Sequence, residues 1–179
     1  ENIVMACGTA GIFRSINGGN SFSRVSSENS LDLEYHPTNS NIVYASGDIF
    51  LKSIDNGLSF FEVSGPSGTY SRLAVSTAEP NSVWLTTTSG NEFESLHKST
   101  NSGSSFTSIH TSETDYFDKY GWYGIDLAVS NENPNIIYLG GIELYRSIDG
   151  GNNFSLHVPW TYYDAGNKYI HADIHSLEW

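Results

Sequence analysis

The chain has 179 residues, 8 basic and 20 acidic, for a formal net charge of -12, with aromatic residues at 13%. That length allows one domain with a sizeable core, and the acidity argues against nucleic acid and anionic membrane surfaces, which are gripped by clustered Lys and Arg. The single cysteine, Cys7, excludes an internal disulfide, and no run approaches the length of a membrane helix.

In chain order, Ile3-Val4 opens a short apolar run, GIFRS follows at 11–15, and SINGGNSF at 15–22 runs into FSRV at 22–25. The next unit starts with Leu33-Glu34-Tyr35 and turns through HPTNSN. It continues with Ile42-Val43-Tyr44 and IFLKS, then SIDNGLSF at 53–60 and FFEV. The third unit repeats the plan with Leu73-Ala74-Val75, STAEPNS, Ser82-Val83-Trp84, SLHKS, STNSGSSF at 99–106 and FTSI. The fourth has Leu127-Ala128-Val129, SNENPN, Ile136-Ile137-Tyr138, ELYRS, SIDGGNNF at 147–154 and FSLH. The chain closes with Leu177-Glu178-Trp179, which matches Leu33-Glu34-Tyr35.

Each unit therefore predicts four short strands, A to D, joined by tight turns. The runs are too short for helices and rich in β-branched and aromatic residues. The octapeptide box lies between strands C and D and recurs at 15, 53, 99 and 147, at spacings of 38, 46 and 48 residues. Four strands in such a period predict an all-β fold, a β-propeller of four-stranded antiparallel blades. The expected units are a B-C-D blade over 2–25, full blades over 31–63, 71–109 and 125–158, and a lone strand A over 174–179. That last strand leaves two readings, a ring closed at four blades or a partial arc of a larger propeller. The arc is preferred, with further blades of the same parent chain covering its bare edges.

The box itself is read as structural. Its third residue is Asn17, Asp55, Asn101 or Asp149, side chains that accept hydrogen bonds from nearby backbone N–H groups. Its fifth is Gly19, Gly57, Gly103 or Gly151, where the backbone angle needs glycine. Its last is Phe22, Phe60, Phe106 or Phe154, placed to pack beneath the turn. A catalytic carboxylate would not occur four times, nor give way to Asn twice. A calcium loop needs several carboxylates together, and STNSGSSF has none.

These boxes resemble the Asp-box, or BNR repeat, of sialidases, sortilin-type receptors and related secreted propellers, over nearly the whole chain. The tail at 169–177 is similar to a segment of large exported bacterial Asp-box proteins. The resemblance implies six or more blades in the complete propeller and a secreted or cell-surface protein; it does not imply one activity. Sialidase chemistry is disfavoured. Only Arg24 and Arg72 are free of the repeat position that Arg14 and Arg146 occupy, and the family's Phe-Arg-Ile-Pro motif is absent.

In a propeller the box turns share one face with the A–B turns, and the D–A and B–C connections share the other. Length varies on that second face, in inserts at 110–124 and 158–170 and a smaller one, TSGNEFES. The aromatics Tyr116, Tyr120, Trp122, Tyr123, Trp160, Tyr162 and Tyr163 sit in the two long inserts. They either roof the propeller or bind a glycan or an extracellular protein. Glu113, Asp115, Asp118 and Asp164 nearby suit a solvated loop or a divalent cation such as calcium; no other cofactor is expected. His171, Asp173 and His175 alternate, so an extended strand would place them on one side as part of a metal shell. The function expected is a binding or scaffold module. The alternative is a glycoside hydrolase whose site is completed by blades outside this segment, with Asp126, Asp164 and Asp173 as candidate carboxylates.

Overall fold

The computed structural model describes residues 2–161 and 169–179. None of them forms a helix. Instead, fifteen strands build four antiparallel meanders. Blade one has three strands, β1 (Val4–Gly8), β2 (Gly11–Ser15) and β3 (Ser23–Ser26). Blade two has four, β4 (Ser30–Tyr35), β5 (Val43–Gly47), β6 (Phe50–Ser53) and β7 (Phe61–Glu62). Blade three comprises β8 (Ser71–Val75), β9 (Val83–Ser89), β10 (Glu92–Ser99) and β11 (Thr107–Thr111). Blade four comprises β12 (Asp126–Val129), β13 (Ile137–Gly140), β14 (Leu144–Ser147) and β15 (Ser155–Val158).

The strands β1, β4, β8 and β12 lie side by side in that order, and among the described residues no comparable packing joins β12 back to β1. The chain is thus an open arc of β-propeller blades, not a four-bladed ring. Its apolar cores lie between successive blades. Ile12 of blade one meets Ala45 and Leu51 of blade two. Tyr44 and Phe50 of blade two meet Leu73, Val83 and Leu85 of blade three. The core between blades three and four is the largest and includes Trp84, Leu96, Leu127, Ile137 and Leu139. A strand covered on both sides has no polar face to show, which is why β5 is buried at every residue.

The box turns repeat one hydrogen-bond pattern. The first-position serines Ser15, Ser53, Ser99 and Ser147 are buried, and each hydroxyl donates to the third-position side chain, at 2.7 Å for Ser53 to Asp55. Each serine oxygen also accepts the N–H of the box glycine at 2.9 Å. The third residue then accepts the N–H at position seven, at 2.9 Å in all four boxes. Hydrogen bonds from Ser59 and from Asn153 hold the Asp55 and Asp149 carboxyls down at about 2. The fourth-position N–H donates to an asparagine carbonyl in the A–B turn: Asn2, Asn41, Asn81 or Asn135. Box and A–B turn therefore share a face, as the repeat requires.

Residues 177–179 do not form the expected sixteenth strand. The Leu177 N–H donates to the Asp126 carboxylate, just as the Leu73 N–H donates to Asp32, so the tail takes an inner-strand position beside β12. It stays irregular because, among the described residues, no second strand pairs with it, and a ladder needs two.

Two substitutions test this account by chemical denaturation. Asp55→Asn should be nearly neutral, since Asn17 and Asn101 fill the same role, whereas Asp55→Ala should cost about 1 kcal/mol or more. Gly103 has φ of 72°, and a Cβ there would sit 2.9 Å from the Phe50 ring. Gly103→Ala should therefore destabilise by roughly 1–3 kcal/mol.

Candidate functional site

The insert at 110–124 folds around one carboxylate. Asp115 accepts the Phe93 N–H at 2.8 Å and the Phe117 N–H at 3.0 Å through one oxygen, and the Lys119 N–H at 2.6 Å through the other. Asp118 and Lys119 turn the chain with positive φ of 48° and 64°. The Gly121 N–H then reaches the Asn91 carbonyl at 2.9 Å, which ties the insert to the β9–β10 hairpin. Asp115 is thus spent on backbone, although the sequence placed it among solvated acids.

This fold divides the aromatics. Phe117 is buried completely, and Tyr116 is only 6% exposed. Tyr116 meets Phe93 and Tyr145 edge-on at 4.8 and 4.9 Å, and its hydroxyl bonds His110 Nε2 at 2.9 Å. Tyr116 therefore serves as a roof residue, its ring mostly enclosed by the core of blades three and four, while it also lines the pocket beside Trp160. Tyr120, Trp122, Tyr123 and Trp160 remain outside, each 45–54% exposed. Trp122 lies 5.3 Å from Tyr123 between ring centroids, and Tyr123 meets His175 edge-on at 4.6 Å. Tyr162 and Tyr163 lie outside the described residues, as does Asp164.

Trp160 and the insert residues Asp115, Tyr116 and Asp118 border a pocket of about 210 Å³ lined also by Ile142, Glu143 and Tyr145. The Tyr145 hydroxyl donates to Glu143 at 3.1 Å, and burial, then Glu143, pushes that phenol up to about 12, so it remains a donor. The pocket offers carboxylate acceptors beside an indole face, a set that suits a neutral ligand rich in hydroxyls. Glu143 and Tyr145 were read only as strand residues. Glu143 ends the β13–β14 turn and Tyr145 lies on β14, so the hydrogen bond between them, not a strand alternation, brings them together.

The metal reading of His171, Asp173 and His175 does not hold in this arrangement. Asp173 has a positive φ of 77°, so the segment is not an extended strand and the alternation is broken. His175 packs on Tyr123, and His171 Nδ1 lies 3.0 Å from the neighbouring Ala172 carbonyl. Among the described residues no three His, Cys, Asp or Glu side chains converge as metal donors.

Asp126, expected on the loop face, lies instead on β12 and clamps the tail. It belongs to a set of inner-strand carboxyls with Asp32 and Glu34. Burial, then the charges of Asp32, Asp126 and Glu178, pushes Glu34 up to about 7. Burial raises Asp126 to about 6 against the Leu177 and Leu127 N–H groups, and it raises Asp32 despite the Leu73 N–H. The Cys7 thiol is pushed up to about 11 by burial first, so it is no reactive thiolate. A groove of about 420 Å³ runs beside these strands, bounded by Leu127, Leu177 and Trp179.

No family model matches the sequence, and no curated protein matches it. Solved structures do. An ancestral GH74 enzyme superposes with a TM-score of 0.66 at 20% identity, over 88% of this chain and 22% of that one. The GH74 xyloglucanase from Xanthomonas campestris gives 0.60 at 16% identity, over 90% and 29%. YCF48 bound to D1 peptide gives 0.52 at 11% identity, over 87% and 44%. The likeness is one of fold. This chain spans less than half the length of each of these structures.

The inner-strand carboxyls set a pH dependence. Glu34 and Asp126 titrate higher folded than at their ordinary 4.5 and 3.8. The folded chain thus holds more protons than the unfolded one between roughly pH 4 and pH 7, and stability falls as pH rises through that window. Asp55 and Asp149 act oppositely, and their contribution is lost only as pH falls from about 4 towards about 2. The melting temperature should be higher at pH 5 than at pH 8, and Glu34→Gln should flatten the difference. A rise from pH 5 to pH 8 would contradict this assignment.

Proposed function

We propose that the chain is an arc of an exported Asp-box propeller that acts as a binding module for a neutral glycan. The observation that carries this reading is the set of outward Tyr120, Trp122, Tyr123 and Trp160 side chains on the insert face, with Trp160 bordering a pocket walled by Asp118, Glu143 and Tyr145. Indole and phenol faces stack on the apolar faces of sugar rings, and carboxylates accept from sugar hydroxyls. The net charge of -12 disfavours anionic sugars. The fold, shared with GH74 enzymes, and the box pattern support this reading, and a cell-surface setting follows from it.

A hydrolase is the second reading. Glycoside hydrolysis needs two carboxyl groups flanking the bond, and Asp118 and Glu143 line the same pocket. A peptide ligand is the competing kind of partner for the exposed aromatics.

Calorimetric titration with a panel of neutral oligosaccharides, xyloglucan fragments included, tests the main reading. Trp122→Ala and Trp160→Ala should each weaken binding by roughly 10-fold without changing the melting temperature. No binding across the panel, or binding indifferent to both changes, would overturn the glycan reading. Hydrolysis by the parent chain that is lost in Asp118→Asn and Glu143→Gln would establish the enzyme instead.

A further inference from the structure

The variable face carries a second pocket, at the junction of blades two and three. Its volume is about 560 Å³, and it is lined by Asp48 of the β5–β6 turn, Ser67 and Thr69 of the connection after blade two, Thr88 and Ser89 at the end of β9, and Glu94 of β10. Both blades are packed on each side by another, so the pocket lies inside the arc. The connection is pressed onto β9. The Thr69 N–H donates to the Thr88 carbonyl at 2.9 Å, the Gly90 N–H donates to Thr69 Oγ1 at 3.0 Å, and a Cβ on Gly68 would sit 2.8 Å from that carbonyl. Each carboxylate is held by one oxygen. Asn29 Nδ2 donates to Asp48 Oδ1 at 3.0 Å, and Thr87 Oγ1 donates to Glu94 Oε2 at 3.2 Å. Asp48 Oδ2, Glu94 Oε1 and the Ser67 and Ser89 hydroxyls make no hydrogen bond among the described residues.

A relay of hydroxyls positions Glu94. A β-bulge leaves this residue without a cross-strand partner and turns it over Thr87. Thr87 and Ser95 are 1% and 7% exposed; their hydroxyls lie 2.9 Å apart, and Ser95 Oγ lies 2.6 Å from His97 Nε2. A carboxylate only accepts, so Thr87 donates to Glu94, Ser95 donates to Thr87, and the His97 Nε2–H donates to Ser95. The same offsets recur one blade on. Ser95 and His97 stand four and two residues before the box serine Ser99, and Glu143 and Tyr145 stand four and two before Ser147. There too the pair is hydrogen-bonded, and both residues line the pocket beside Trp160. Their counterparts in blade two, Ile49 and Leu51, belong instead to the apolar core shared with blade one. The insert at 110–124 joins the two pockets. Its Asp115 and Asp118 line one, and a Cβ on its Gly121 would lie 3.0 Å from Thr88 Cγ2 of the other.

We propose that the pocket between blades two and three is a second sugar-ring subsite, and that the ligand is a chain of neutral sugars lying across both junctions. The inference rests on the glycan reading above and names its ligand class. One ring of the chain stacks at Trp160 and donates hydroxyls to Asp118 and Glu143. A ring farther along donates to Asp48 Oδ2 and Glu94 Oε1 and accepts from the Ser67 and Ser89 hydroxyls. No Lys or Arg lines the second pocket, so it offers an anionic sugar no counter-charge. It has no aromatic wall either, so it reads the hydroxyl pattern of a ring that the first pocket has already brought close. Two like pockets one repeat apart match a ligand that itself repeats, and the second contact is intramolecular once the first is made.

Calorimetric titration of the 179-residue chain with cellobiose, mannobiose and xylobiose, and with the matching hexasaccharides, reads the outcome. In the series that binds, the hexasaccharide should bind at least about 10-fold more tightly than the disaccharide. The double variant Asp48→Asn with Glu94→Gln keeps an acceptor towards Asn29 and Thr87. It should weaken hexasaccharide binding roughly 10-fold and leave disaccharide binding and the melting temperature unchanged. Trp160→Ala should weaken both ligands. The His97 ring resonances should shift on adding hexasaccharide and not on adding disaccharide, because the relay ends at Glu94. A hexasaccharide that binds no better than its disaccharide, or a double variant that binds it as the parent does, would overturn the second subsite and leave the Trp160 pocket standing. Hexasaccharide binding lost in the double variant but indifferent to Trp160→Ala would sustain this subsite and overturn the other. No binding in any series would overturn both.

Discussion

The structure depends on one contact made three times, the seating of a box turn on the blade before it. Gly57 lies against Met5, Gly103 against Phe50 and Tyr44, and Gly151 against Leu96 and Ile109. No blade has an apolar interior of its own; a single sheet is one layer thick, so it must borrow its second wall from a neighbour. The box makes that loan possible by folding the C–D turn tightly enough for a bare Cα to touch the adjoining core. Its serine and Asx side chains satisfy the backbone N–H groups that so tight a turn would otherwise leave unpaired. Stability is therefore a sum of blade-to-blade interfaces, as in other repeat proteins.

That division of labour frees the opposite face. With the box and A–B turns committed to the blade interfaces, the D–A and B–C connections carry only the duty of closing the chain. The insert at 110–124 uses this freedom in two ways. Phe117 and Tyr116 roof the largest core, and Asp115 ties the insert to the β9–β10 hairpin, so its remaining aromatics are held on a fixed platform. The energy that orders the loop comes from the inward half; the outward half, with Tyr120, Trp122 and Tyr123, is left available for recognition.

The inner strands present a second kind of constraint. Asp32 and Asp126 each hold a backbone N–H of the following inner strand, Leu73 and Leu177, where no strand-to-strand ladder can do so. The same burial that makes these bonds useful disfavours the charged carboxylates, and Glu34, without such a bond, is raised the furthest of those with a stated value. Inner-strand carboxyls thus join successive blades at a cost that grows as the pH rises.

The sequence by itself determined the period, the four-strand unit, the box and the face on which length varies. Each of these is a local pattern of Gly, Asx, Phe and apolar runs, and local patterns survive in one dimension. Only the tertiary structure decided which residues of a shared motif are covered. Tyr116 and Trp122 look alike in sequence, but one roofs a core and the other faces solvent, because burial depends on what packs above the ring. The His-x-Asp-x-His alternation promised one side of a strand, but Asp173 turned left-handed and removed the premise. Asp126 read as a loop carboxylate and proved an inner-strand clamp, since its partner Leu177 lies 51 residues away.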